Sequence, residues 1–154
     1  MPDGEVMNKE CHAHYVIWER VIKDGNRDFD ADVFEGARLK YLRAVELAVA
    51  MVESEPCIRP AIGALLVSYH NLADLYERHG YRLFALNALT SVFQHVEHLQ
   101  RENPAETAPV WGKRIASEQL YLFKKRHGEA EEFQRPAFIA IKPDDISTHQ
   151  RSLH

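Results

Sequence analysis

Three stretches of this chain close on the same kind of signal: KDG at residues 23–25, ERHG at 77–80 and KRHG at 125–128. A charged last turn followed by glycine is a common way for a helix to stop, because glycine enters a left-handed turn without steric cost. The terminal glycines stand 55 and 48 residues apart. Recurrence on that scale restricts the fold. Helical units of this length cannot bury their apolar faces alone, so they must stack on one another.

Apolar spacing between these stops is helical. From Glu5 to Asp24, Val6, Cys11, Tyr15, Trp18, Val21 and Ile22 recur at steps near three and four. Gly25-Asn26 is expected to end this helix. NRDFDAD then reads as a loop in which Asp30 or Asp32 caps the next helix. The second helix is expected over Val33–Ser54, with Val33, Ala37, Tyr41, Ala44, Ala48, Met51 and Val52 on one face. Phe34, Leu42, Val45, Leu47 and Val49 widen that face, so this helix should touch neighbours on more than one side. Further helices are expected over Ala61–His79, Arg82–Arg101 and Pro109–His127. No strand pattern precedes residue 136, which makes the class all-α. The whole chain is 27% charged, yet residues 61–100 hold only three acids and two bases. A segment so poor in charge should be covered from both sides and form the centre. Residues 1–135 are therefore read as one helical domain, closing on a short acidic turn at 129–133. Residues 136–154 are read as an irregular tail, with Phe138, Ile139 and Ile141 expected to cover the fifth helix or to enter a groove of the stack, in their own chain or in a second copy.

Several function classes are disfavoured. The net charge is -4, with both signs mixed along the chain, so there is no cationic pull toward nucleic acid or anionic lipid. The run from Ala44 to Val52 is interrupted by Glu46 and is far shorter than the ~20 residues needed to span a bilayer. The first residues are polar and lack the apolar core of a secretion signal. Cys11 and Cys57 match no metal or redox spacing and make no disulfide framework, which points to a reducing, cytoplasmic compartment. His95 and His98 lie three apart with Glu97 between them, a step that can share a metal. No second helix supplies a matching pair, so they read as residues on the back of a helix, and no metal or cofactor is expected. Lys124-Lys125-Arg126-His127 falls at a helix C-terminus, where cations complement the dipole. Trp18 and Trp111 read as packing residues at the open ends of the stack, with anchoring of a partner as the alternative. There is no Gly-x-Ser-x-Gly and no phosphate-cradling glycine loop.

The segment SYHNLADLYERHG at 68–80, followed by Ala85, resembles a tetratricopeptide (TPR) repeat. Leu72, Ala73, Tyr76, Gly80 and Ala85 follow the family's large-small-large pattern. The helices are long, as in the variant found in kinesin light chains, where NLAxLY recurs. The resemblance implies about two and a half stacked antiparallel helical hairpins, with Ala73 and Ala85 at the crossing of the central one. It also implies a concave, acidic groove lined by the first helix of each hairpin. Projected onto this sequence, the groove positions are Tyr15 and Glu19, then His70, Asp74 and Glu77, then Glu118. The asparagine and lysine residues with which some family members grip a terminal carboxylate are not at these positions, and Asp74 and Glu19 would repel one. The expectation is a non-enzymatic adaptor or scaffold that binds a basic peptide of another protein, with no nucleic acid and no membrane as partner. A second copy of the chain is a further candidate partner. The alternative is a small metal-binding or catalytic all-helical protein.

Overall fold

A computed structural model describes residues 7–128. It holds five α-helices: α1 (Lys9–Asp30), α2 (Phe34–Ser54), α3 (Arg59–Arg78), α4 (Arg82–Glu102) and α5 (Ala108–His127). There is no strand among the described residues. Each helix packs chiefly on its neighbour in sequence, and α3 also lies against both α1 and α5. The result is a row of stacked hairpins with the odd-numbered helices together on one side. The expected acidic turn at 129–133, the boundary at 135 and the tail with Phe138, Ile139 and Ile141 lie outside the described residues.

The repeat is more regular than its glycines suggest. Among the described residues three have positive φ: Asp32 at 61°, Gly80 at 84° and Gly128 at 86°. They stand 48 and 48 residues apart, and each ends an odd-numbered helix. After α3, Gly80 N–H donates to Glu77 O and Tyr81 N–H donates to Tyr76 O. This paired arrangement satisfies carbonyls that the helix end would otherwise strand. After α1, Asp32 N–H donates to Phe29 O and Val33 N–H donates to Asp28 O in the same pattern. Aspartate is among the few residues besides glycine that tolerate this conformation. The even-numbered helices keep the same period, since α4 is α2 displaced by 48 residues at both ends. Ala37, Tyr41, Ala44, Ala48 and Met51 are buried in α2, and Ala85, Leu89, Val92, Val96 and Leu99 are buried 48 residues later in α4.

Two expectations about the first hairpin are corrected. Gly25 does not end a helix. It sits buried inside α1, which runs on to Asp30 through the segment read as a loop. Asp30 and Asp32 do not cap α2 either; its N-cap is Val33, with no side-chain hydrogen bond. Gly25 is 48 residues before Ala73, which is also small and buried. A Cβ on Gly25 would stand 2.7 Å from Tyr41 Cε1 and 2.9 Å from Cδ1, and the Tyr41 ring is buried. The small residue is there because α2 sends a large one into α1. Glycine inside a helix normally costs stability, so its presence marks a close approach.

Other contacts join the hairpins. Trp18 is buried and donates from Nε1 to Ser68 Oγ at 2.7 Å, which in turn donates to Ala64 O. Trp18 is therefore a tie between α1 and α3 and not a residue of an open end. Trp111 is half-buried, with the Arg59 guanidinium 4.8 Å from its ring centroid and Gly63 of α3 nearby. Phe34, Tyr76, Tyr81 and Phe84 form a connected ring cluster with centroids 5.3–6.4 Å apart, where α2, α3 and α4 meet. Such pairs add roughly 0.5–1.5 kcal/mol each beyond their buried area. Beside this cluster Arg38 is buried and makes a two-pronged contact with Glu35, at 2.8 and 2.6 Å. Ala73 and Ala85 are both buried.

The role of Gly25 gives a test whose sign differs from that of helix propensity. Propensity alone has Gly25→Ala stabilising by about 1 kcal/mol. The Tyr41 contact makes the same substitution destabilising, by a net amount on the order of 1–3 kcal/mol. Equilibrium urea unfolding will distinguish them, and a rise in stability would contradict the packing described here.

Candidate functional site

Extending α1 past Gly25 brings its last turns against α2 and α3. The three helices leave a crevice of about 290 Å³ lined by Asn26, Phe29 and Asp30 from α1, Tyr41 from α2, and Asn71 and Asp74 from α3. One oxygen organises it. Asn26 Oδ1 accepts from the Tyr41 hydroxyl at 2.7 Å and from Asn71 Nδ2 at 3.1 Å. That amide joins all three helices, and positions 26 and 74 are equivalent under the 48-residue repeat.

The crevice is electronegative. Burial, followed by the charges of Asp30, Asp74 and Asp28, pushes the Tyr41 phenol up to about 12. Asp28 is met by Lys40 Nζ at 2.5 Å. Burial, and then the neighbouring Glu77, raises the Asp74 carboxyl above its ordinary range, with Arg126 opposing. Asp30 and Asp74 are both exposed, and neither makes a direct ion pair with another described residue.

The six residues projected onto the groove have different positions and roles. Tyr15 is half-buried and stacked on Trp18, with centroids 5.7 Å apart. Glu19 is half-buried one turn later on the stripe of α1 that leads to Asn26. His70 is half-buried on α3, and its Nε2 is buried without a hydrogen-bond partner among the described residues. Asp74 alone of the six lines the crevice. Glu77 is already engaged: Arg126 donates to both its oxygens at 3.0 Å, and His127 Nε2 lies 2.5 Å from Oε2. Its charge fastens α5 to α3. Glu118 is exposed on α5, and no hydrogen bond or ion pair joins it to the other five. The crevice residues Asn26, Phe29, Asp30, Tyr41 and Asn71 were missed as a site. Reading 26–32 as a loop hid three of them, although the 48-residue offset between Asn26 and Asp74 was available as a signal.

Elsewhere, His95 is half-buried and its pKa is lowered by burial and then by His98, with Glu53 opposing; His98 is exposed. Among the described residues no group of three or more His, Cys, Asp or Glu side chains is placed to hold a metal ion. Cys11 and Cys57 are free thiols, both with raised pKa values, chiefly from burial. No helix among the described residues is long and apolar enough to cross a membrane.

A family model described as a protein of unknown function, DUF2753, matches residues 16–138. The chain belongs to that family. No curated protein and no solved structure matches it. The DUF2753 match takes in most of α1 and all of α2 to α5, so the crevice residues and the Glu77 fastening both fall within the family's span.

His70 and Glu77 both contribute to the acid limb of stability, in adjoining windows. Burial lowers the His70 pKa from 6.5 to about 4, so the unfolded chain binds the extra proton first. The His70 contribution is complete above pH 6.5 and is lost as pH falls toward 4, on the order of 3 kcal/mol. Burial alone would raise the Glu77 carboxyl, but hydrogen bonds and charge from Arg126 and His127 hold it below its ordinary value. Its contribution is present above the unfolded carboxylate value and is lost as pH falls through the folded one. His70→Gln should flatten the pH dependence of urea unfolding between 6.5 and 4. An unchanged slope in that window would show that His70 protonates without cost.

Proposed function

We propose that this chain is a non-enzymatic adaptor of the TPR type, presenting the face of its odd-numbered helices to an extended, basic segment of another protein. The observation that carries this reading is the crevice at Asn26, Asp30, Tyr41, Asn71 and Asp74 on that face, where carboxylate charge accumulates beside aromatic walls. Stacked helical hairpins form extended concave surfaces of this kind, and a negative surface steers a positive partner. The long-helix TPR pattern at 68–85 supports the same assignment. Two further parts of the proposal are a cytoplasmic location, consistent with two free thiols, and a second copy of the chain as an additional partner. Glu19 and Tyr15 would extend the contact along α1 from the crevice.

A library of short random peptides displayed against the full chain tests the proposal. The expected outcome is enrichment of lysine- and arginine-bearing sequences whose binding weakens steadily as salt rises, since the charges involved are near the surface. Enrichment of acidic or purely apolar peptides, or no enrichment at all, would contradict it.

A further inference from the structure

We propose that the outer face of α1 pairs with the same face of a second copy of this chain, antiparallel and about a two-fold axis at Val16 and Ile17; this deepens the adaptor reading by giving its second copy a surface. The 48-residue repeat shows what that face is built for. Ala13, Val16, Ile17, Arg20 and Asp24 correspond to Ala61, Ala64, Leu65, Ser68 and Leu72 of α3, and those five are all buried. In α5 the same positions include Pro109, Gly112 and Ala116, again buried. A Cβ on Gly112 would stand 2.6 Å from Ile62 Cγ2 on α3, so this stripe is the side on which α5 meets the helices before it. Among the described residues no helix precedes α1, and Val16 and Ile17 are 43% and 42% exposed. Stacks of this kind ordinarily close on a polar outer face. Two adjacent β-branched side chains at the centre of the stripe do not make one.

Charge selects the occupant and its direction. Glu10 is exposed toward one end of the stripe, and Arg20 and Lys23 toward the other; none of the three is in an ion pair among the described residues. Glu10 and Lys23 stand equally far from the Val16–Ile17 centre, about 10 Å along the helix at 1.5 Å per residue. An antiparallel pair therefore brings Glu10 of each copy to the turn that carries Arg20 and Lys23 in the other. A parallel pair would set those two cations against their own copies. The opposite end of the stack is excluded on the same ground: α5 exposes Arg114 and Lys125, and a head-to-tail row would oppose cation to cation. A contact that uses one patch twice closes at two copies. A single pair of crossed helices is small for a specific interface, so the association is weak and reversible.

Sedimentation velocity on the full chain, without peptide and from low to high micromolar concentration, tests this. A shift from monomer to dimer mass is expected, with no larger species. Ile17→Lys should weaken dimerisation at least about tenfold and leave the melting temperature of the dilute monomer near that of the wild type, since the side chain is exposed within one copy. Glu10→Lys and Lys23→Glu should each weaken the dimer about fivefold, and the two together should restore it. A chain that stays monomeric at high micromolar concentration, a dimer indifferent to Ile17→Lys, or a double charge reversal that restores nothing would overturn the proposal. So would a marked fall in the monomer's melting temperature on Ile17→Lys, which would show the face to be covered from within its own chain. None of these α1 residues lines the crevice, so the two readings fail separately. Enrichment of basic peptides by a monomeric chain would leave the adaptor reading standing without this pairing, and a dimer that enriches none would leave the pairing without the adaptor.

Discussion

Gly25 packed beneath the ring of Tyr41 is the contact on which the rest of the first hairpin depends. It lets α1 continue past the point where a glycine would otherwise end it, and it sets how near α2 can come. At that spacing the Tyr41 hydroxyl reaches Asn26, and Asn26 in turn holds Asn71 on α3. The crevice is what remains between three helices tied in this way. Its negative charge follows from the extra turn of α1, which carries Asp28 and Asp30 alongside Tyr41.

The same position explains how the row of helices ends. Gly25 in α1 and Ala73 in α3 are small residues that stand 48 apart. Forty-eight residues further on, α5 carries Tyr121, which is 61% exposed. A tyrosine there is incompatible with the close crossing made at Gly25, and no described helix makes one. The α5 helix is instead fixed from its other side, through Glu77 with Arg126 and His127 and through the buried Phe123. Charge at the end of α5, which the sequence suggests is spent on the helix dipole, also serves to fasten that helix to the centre of the stack.

Much of the fold was legible because the apolar period is strong. The expected second helix, Val33–Ser54, differs from the observed Phe34–Ser54 by one residue, and Gly80 and Gly128 end their helices where expected. The first hairpin was misread for a physical reason. Glycine has two uses, as a left-handed stop and as a space for a neighbour's ring, and nothing local separates them. The actual stop was Asp32, a residue that takes the left-handed conformation only occasionally. Arg38 was invisible as core because its burial depends on Glu35 and the Tyr76 cluster, whereas its counterpart 48 residues later is an ordinary Leu86. Of the groove positions, Asp74 alone lines the crevice. Projection places residues on a helix face but does not show which acids are already met by cations from another helix, as Glu77 is.

The central claim is that residue 25 is small because residue 41 is large, and a double-substitution cycle addresses it directly. In the second hairpin the corresponding residues are Ala73 and Leu89. The Tyr41→Leu chain should therefore accept Gly25→Ala at no cost, or with a gain of up to about 1 kcal/mol from helix propensity, while the wild-type chain is destabilised by it. That makes the two substitutions coupled, with an interaction on the order of 0.5–3 kcal/mol. If Gly25→Ala changes stability by the same amount in both backgrounds, the ring is not what excludes a side chain at position 25, and the account of the first hairpin fails.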